Sequence, residues 1–172
     1  MKTGWDKFKN KIFVSLFQIP WVKERWTSQY NALESDSIPW TPLSKPLSQC
    51  KLALITTGGV HLKTDPPFNM SDPEGDPSYR KIPSNIAIDQ LMITHDYFDH
   101  KDADQDINLV LPIEIVRGFQ QEGRIGQLAD HFYGLMGHIE GQHLDTLVKK
   151  TAKVLAKQMK QESVDVALLV PA

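Results

Sequence analysis

The stretch "CKLALITTGGVHL" at residues 50–62 sets the first constraint on the fold, because Leu52 to Ile55 are apolar without alternation. A strand with one wet face alternates apolar and polar residues, whereas a strand covered on both faces does not. The run therefore reads as a buried strand of a parallel sheet, closed by the turn-like "TTGG". Further strands are expected at "IDQLMITH" (88–95), within "HFYGLMG", and from Asp165 to Val170. Helices fall between them. Pro112 fits the first turn of one that runs to about Glu122, with Gly123 just past its end. Apolar residues at 144, 147, 148, 154, 155 and 159 define a long amphipathic helix from about Gln142 to Gln161. Strands alternating with helices predict an α/β fold, a Rossmann-like and mostly parallel sheet flanked by helices.

An N-terminal amphipathic helix precedes this pattern. Trp5, Phe8, Ile12 and Leu16 recur at helical spacing, with Phe13 and Phe17 beside them. Such a face could lie on a membrane surface, but the expected reading is that it packs on its own domain or on a partner. "IPWTPLSKPL" at 38–47 carries three prolines and reads as an extended connector. The expected organisation is thus residues 1–47 as helix and connector, and 48–172 as the α/β domain. In an open α/β sheet, ligands bind just beyond the carboxyl ends of the strands. The last strand ends at Val170, so the domain is expected to be incomplete at its C-terminus.

A formal net charge of -2 gives no case for nucleic acid as the main partner. Cys50 is the only cysteine, which excludes an intramolecular disulfide and suits the cytoplasm. No apolar run approaches the roughly 20 residues that span a bilayer. The charge is uneven: residues 64–114 hold three basic and eleven acidic side chains. The Pro-, Asp-, Ser- and Gly-rich "KTDPPFNMSDPEGDPSYRKIPSN" (63–85) overlaps that region, a long loop expected to be functional or disordered.

Two loops supply the candidate site. The first is Thr56, Thr57, Gly58, Gly59 and His61, where backbone amides could cradle an anion. Its bland alternative is a tight structural turn. The second lies in "THDYFDHKDADQDIN" (94–108), with His95, Asp96 and His100 as the leading residues. A calcium loop opening at Asp102 fails, since its sixth residue would be Ile107 and its twelfth Ile113. No zinc spacing is present, and turn and capping chemistry accounts for much of the aspartate. No metal is expected. If both loops follow strands of one parallel sheet, they share an edge and line one pocket. Cys50 precedes its strand and so belongs at the opposite edge, as a buried structural thiol. His131, His138 and His143 read as ordinary polar contacts.

"PWTPLSKPL", "ALITTGGVHLKTDPPFN", "GDPSYRKIP", "ITHDYFDHKDADQDINLVLPI", "GRIGQLADHFYGLMGHI" and "VDVALLVP" occur in that order over residues 38–172. Together they resemble the selenoprotein B component of glycine, sarcosine and betaine reductases and its D-proline reductase relative. The resemblance implies reductive cleavage of glycine, sarcosine, betaine or D-proline, with a dithiol as electron donor. It implies a pyruvoyl group on a partner subunit that holds the substrate amine, and an oligomeric assembly. It also implies a selenocysteine or cysteine, two residues, then a cysteine, directly after the "LLVP" strand. That nucleophile is not among these residues, so the codon after Ala172 is expected to be UGA. No catalytic residue is then assigned within the chain. Thr56, Thr57, Gly58, Gly59, His61, His95, Asp96 and His100 are expected to bind or orient substrate, and the isolated chain to lack reductase activity. The alternative is a non-catalytic α/β domain that binds a small ligand or a metal.

Overall fold

A computed structural model describes residues 12, 15, 16, 19–28 and 41–172. The chain divides into two units, Met1–Ser44 and Lys45–Ala172. In the first, α1 (Pro20–Thr27) opens on a proline, whose missing N–H costs nothing at a helix start. It closes with Thr27 Oγ1 and Ser28 Oγ donating back to the carbonyls of Lys23, Glu24 and Arg25. Ile12 and Leu16 are exposed. Trp5, Phe8, Phe13 and Phe17, the rest of the expected amphipathic face, lie outside the described residues.

The second unit is built on β1 (Lys51–Thr56), the strand that "LALI" announces. Leu52, Ala53 and Leu54 are buried. Their side chains serve two cores. Leu52 and Leu54 join Ile82, Phe132, Ile113 and Val116 on one face. Ile55 packs on the other, with Tyr133, Leu135 and Leu155. A strand shared between two cores has no place for polar alternation, which is why the run reads as it does.

Three strands lie parallel to β1. On one side are β5 (Gln127–Leu128) and β6 (His131–Gly134). The β1–β5 register is Lys51↔Gln127, but the β1–β6 register is Ile55↔Tyr133, so β5 and β6 are one strand interrupted at Ala129 and Asp130. On the other side β7 (Val166–Val170) pairs with Leu52 to Thr56 along its whole length. β3 (Arg80–Pro83) closes the far side of β6 antiparallel. α3 (Ile113–Gln121) covers the first core, with Pro112 at its N-cap and Gly123 beyond its end at φ +71°. The second core lies under a nearly continuous helix: α4 (Gly141–Thr146), a π-helical turn (Leu147–Thr151) and α5 (Ala152–Gln161). The chain is therefore α/β, a mostly parallel sheet flanked by helices.

One strand is not where the sequence places it. β4 (Leu91–Ile93) is outside the main sheet and pairs antiparallel with β2 (Val60–Leu62) in a two-stranded ribbon. Leu91 and Ile93 are buried while Met92 between them is 40% exposed. That alternation marks a strand with one covered face, the antiparallel signature. The ribbon touches the main sheet at Gly134, where an added Cβ would stand 1.9 Å from the Val60 carbonyl oxygen.

The long loop before β3 is ordered. Arg80 gathers it: Nε donates to Pro66 O at 2.9 Å, Nη2 to Pro67 O at 3.1 Å, and the guanidinium lies 4.3 Å over the buried Phe68 ring. Asp76 accepts from the backbone of Asn69 and Ser78. The polar residues that suggest disorder in sequence are here partners of one another. Gly75, at φ +88°, lets this strap lie against the His138 carbonyl, which an added Cβ would meet at 1.8 Å.

Candidate functional site

β1, β6 and β7 run parallel, so their carboxyl ends form one edge, and three segments converge there. Thr57 N donates to Val170 O at 3.2 Å, and Ala172 N donates to Thr57 Oγ1 at 3.0 Å. A Cβ on Gly137 would lie 3.1 Å from Ala172 O, 3.3 Å from Thr57 O and 3.4 Å from His95 Nε2. A side chain at position 137 would crowd Ala172 O and Thr57 O by a few tenths of an ångström and touch the His95 ring.

His95 is 4% exposed and is the chemical centre of this edge. Its Nε2 faces the Gly137 N–H and its Nδ1 faces the Tyr97 N–H, both at 3.2 Å. A neutral imidazole has one lone pair and one N–H, so it satisfies one of these donors at a time. Either tautomer leaves one ring nitrogen opposed by a donor, and this ring has no locked orientation of its proton. Phe98 meets the ring edge-on at 4.9 Å, and Tyr97 stacks on His138 at 3.8 Å between centroids. Burial lowers the His95 pKa to about 4, with His138 and His100 adding to the shift and Asp96 opposing it. The ring is thus neutral at pH 7: a hydrogen-bonding group that adds no charge.

That shift predicts an acid limb in stability. The unfolded chain binds a proton at His95 near pH 6.5, whereas the folded chain resists it down to about pH 4. Stability from this group is complete above pH 6.5 and is lost as pH falls, by about 3 kcal/mol at pH 4. Urea melts at pH 7 and pH 4.5 should show the loss in the wild type and a smaller loss in His95→Gln. An equal loss in both would assign the limb to other groups.

The remaining sequence candidates divide. Thr56 is fully buried, and its Oγ1 accepts from Gly58 N at 3.0 Å. Gly59 N donates to Leu135 O at 2.8 Å, and Gly59 sits at φ +69° with its added-Cβ position 2.4 Å from Thr94 O. The amides of Thr57, Gly58 and Gly59 all donate within the fold, so the turn is structural and presents none of the three to an anion. His61 is buried, with Nδ1 at 2.7 Å from Leu62 O and Nε2 at 2.8 Å from Thr94 Oγ1, a satisfied core histidine. The two loops do meet, through the β2–β4 ribbon and the Thr94 N to Gly59 O bond at 3.0 Å. His100 Nδ1 pairs with Asp104 Oδ2 at 2.8 Å, at the N-cap of α2 (Lys101–Gln105). One carboxylate oxygen of Asp96 is buried beside His95. Asp99 and Asp106 accept from Lys101 N and Asn108 N, as capping chemistry predicts. Among the described residues, no three His, Cys, Asp or Glu side chains converge in a way that would hold a metal. Cys50 is fully buried at the amino end of β1, its Sγ 3.4 Å from Pro46 O.

Gly137, Tyr97 and His138 were not legible as site residues. His138 does make a polar contact, 2.7 Å from Pro73 O, and His143 another, 2.9 Å from Asp72 Oδ2. Together they fasten the strap beside the edge. His131 likewise sits 2.9 Å from Glu162 Oε1.

The fold and its edge define an α/β protein with a buried neutral histidine where three parallel strands end. The chain belongs to the glycine/sarcosine/betaine reductase selenoprotein B family, whose signature covers residues 14–172. It is 38% identical over 130 residues to D-proline reductase subunit gamma of Acetoanaerobium sticklandii, covering 76% of this chain and 52% of that protein. It is 28% identical over 148 residues to glycine reductase complex component B subunit gamma of Symbiobacterium thermophilum, covering 85% of this chain and 34% of that protein. Sarcosine reductase complex component B subunit beta of Peptoclostridium acidaminophilum matches at 28% over 116 residues, 66% of this chain and 27% of that protein. The chain thus spans about half the length of the first of these relatives and less of the others. No solved structure matches it. Among the described residues, no helix is long and apolar enough to cross a membrane.

Proposed function

We propose that the chain is a component of a selenoprotein B-type reductase, acting in reductive cleavage of D-proline, glycine, sarcosine or betaine with a dithiol as electron donor. One observation carries this reading: Ala172 is lashed to Thr57 and faces Gly137 and His95, in a chain whose relatives are subunits of such reductases. A selenocysteine or cysteine on the next residue would stand at the carboxyl edge beside the His95 ring. The lone thiol of this chain, Cys50, is at the far end of β1, about 20 Å away at the rise of a strand. It is buried and has no second sulfur to form a disulfide with, as two-electron dithiol chemistry requires.

In this reading the residues present bind and orient. The Thr57 hydroxyl fixes the segment that bears the nucleophile. Neutral His95 holds the Gly137 and Tyr97 backbone segments at the edge without adding charge, so it acts as a positioning residue, and Asp96 lies beside it. A pyruvoyl group on a partner subunit would supply the carbonyl that holds the substrate amine, a task no residue of this edge duplicates. Partner subunits and a cytoplasmic setting, where a lone thiol stays reduced, fit the same picture. Dithiothreitol-dependent turnover of D-proline, glycine, sarcosine and betaine by the complex assembled around this chain tests the reading. Turnover of at least one of the four is the expected result, and none by any such assembly would overturn it.

A further inference from the structure

The sheet face under α5 carries a polar cluster that the candidate site does not use. Tyr133 of β6 is fully buried and meets the Tyr79 ring edge-on, 6.0 Å between centroids. Gln158 of α5 and Glu162 at its C-cap are four residues apart, so they share one helix face. Gln158 Nε2 donates to Tyr79 Oη at 2.8 Å. Glu162 Oε1 lies 2.9 Å from His131 Nδ1 and 4.0 Å from Lys81 Nζ. Three buried atoms of this cluster have no protein partner: Tyr133 Oη, Gln158 Oε1 and Glu162 Oε2. Burial, with Glu162 and Tyr79 close by, raises the Tyr133 pKa to about 12, so its hydroxyl keeps its proton at neutral pH.

Buried polar atoms are nearly always hydrogen-bonded, and three exceptions in one cluster call for a common partner. We propose that Tyr133 Oη, Gln158 Oε1 and Glu162 Oε2 build an internal hydration site that holds one ordered water. Tyr133 donates to the water, and the water donates to Gln158 and Glu162. The cluster offers one donor and two acceptors, and a water molecule supplies the matching one acceptor and two donors. An ammonium has donors only and would leave the Tyr133 O–H without an acceptor. A metal cation needs lone pairs, where Tyr133 presents a proton, and Lys81 already brings positive charge to Glu162. The water would tie the last turn of α5 to β6, four residues before Gly137. The site is independent of the reductase reading.

A high-resolution crystal structure of the full chain should show a water within hydrogen-bonding distance of all three atoms. Tyr133 Oη bonded directly to Glu162 Oε2, with no water between, would overturn the proposal. In solution, magnetic relaxation dispersion of water counts long-lived internal molecules. Tyr133→Phe removes the only donor and should lower that count by one, and an unchanged count would also overturn the proposal. If the variant does not fold, the wild-type crystal structure decides alone.

Discussion

Gly134→Ala is expected to lower stability by roughly 4 kcal/mol or more, a drop in Tm of about 10 °C or greater for a chain of this size. The new Cβ would stand 1.9 Å from Val60 O and 3.1 Å from Val60 C. Both obstacles are backbone, and Val60 is fully buried with its register fixed against Ile93. No rotamer change relieves such a clash, so the β2–β4 ribbon must lift from the main sheet. Gly118→Ala provides the contrast. It lies within α3 and nothing stands within 4 Å of its added Cβ. There alanine should stabilise by about 0.5–1 kcal/mol, because it narrows the unfolded ensemble and favours the helix. Thermal melts of the two variants check both signs. A Gly134→Ala protein as stable as wild type would mean that the ribbon does not rest on β6.

The second large effect concerns His95. If the chain works in a reductase as proposed, His95→Ala in the assembled enzyme should lower kcat/KM by roughly a hundredfold, the size expected when positioning at the reacting edge is lost. The imidazole is buried and borders Gly137, against which Thr57 and Ala172 also lie. Alanine also leaves a cavity among Tyr97 and Phe98, so activity must be referred to folded protein. His95→Gln, which keeps a hydrogen-bonding group, should recover part of the loss. His61→Gln should not lower kcat/KM in the same way, because the His61 nitrogens face Leu62 O and Thr94 Oγ1 in the β2–β4 ribbon, whereas His95 borders Gly137 at the carboxyl edge. Equal losses in His61→Gln and His95→Gln would point to general destabilisation.

These contrasts also show what a sequence of this kind discloses. β1 and α3 were legible because their causes are local. Four apolar residues without alternation need cover on both faces, and Pro112 and Gly123 bracket a helix by backbone chemistry alone. The "TTGG" turn was legible as a turn, but where its amides point depends on Val170 and Leu135, which the local pattern does not contain. β4 was misplaced because "LMI" is too short to display its alternation, and its partner β2 hides in what reads as loop. Of the expected site residues, Thr56, Thr57, Gly58, His95 and Asp96 lie at or beside the edge where β1, β6 and β7 end. Gly137 was missed because its role is a close approach between segments 42 residues apart in sequence, which only the folded chain reveals. The π-helical turn Leu147–Thr151 has no signature either. Thr151 Oγ1 donates from it to Pro77 O at 2.8 Å, a tertiary contact.

The central claim is that the carboxyl edge, and not the chain's own thiol, is where the proposed reductase chemistry takes place. Its most direct measurement is dithiothreitol-dependent turnover of D-proline, glycine, sarcosine and betaine. The isolated chain, the chain assembled with its partner subunits, and the same assembly carrying Cys50→Ser would be compared in one series. The account predicts no turnover by the isolated chain, turnover of at least one of the four substrates by the assembly, and a Cys50→Ser rate within about twofold of wild type, the scatter expected for a buried thiol remote from the chemistry. Turnover by the isolated chain that vanishes in Cys50→Ser would contradict it, and would move the reacting group to the opposite end of β1.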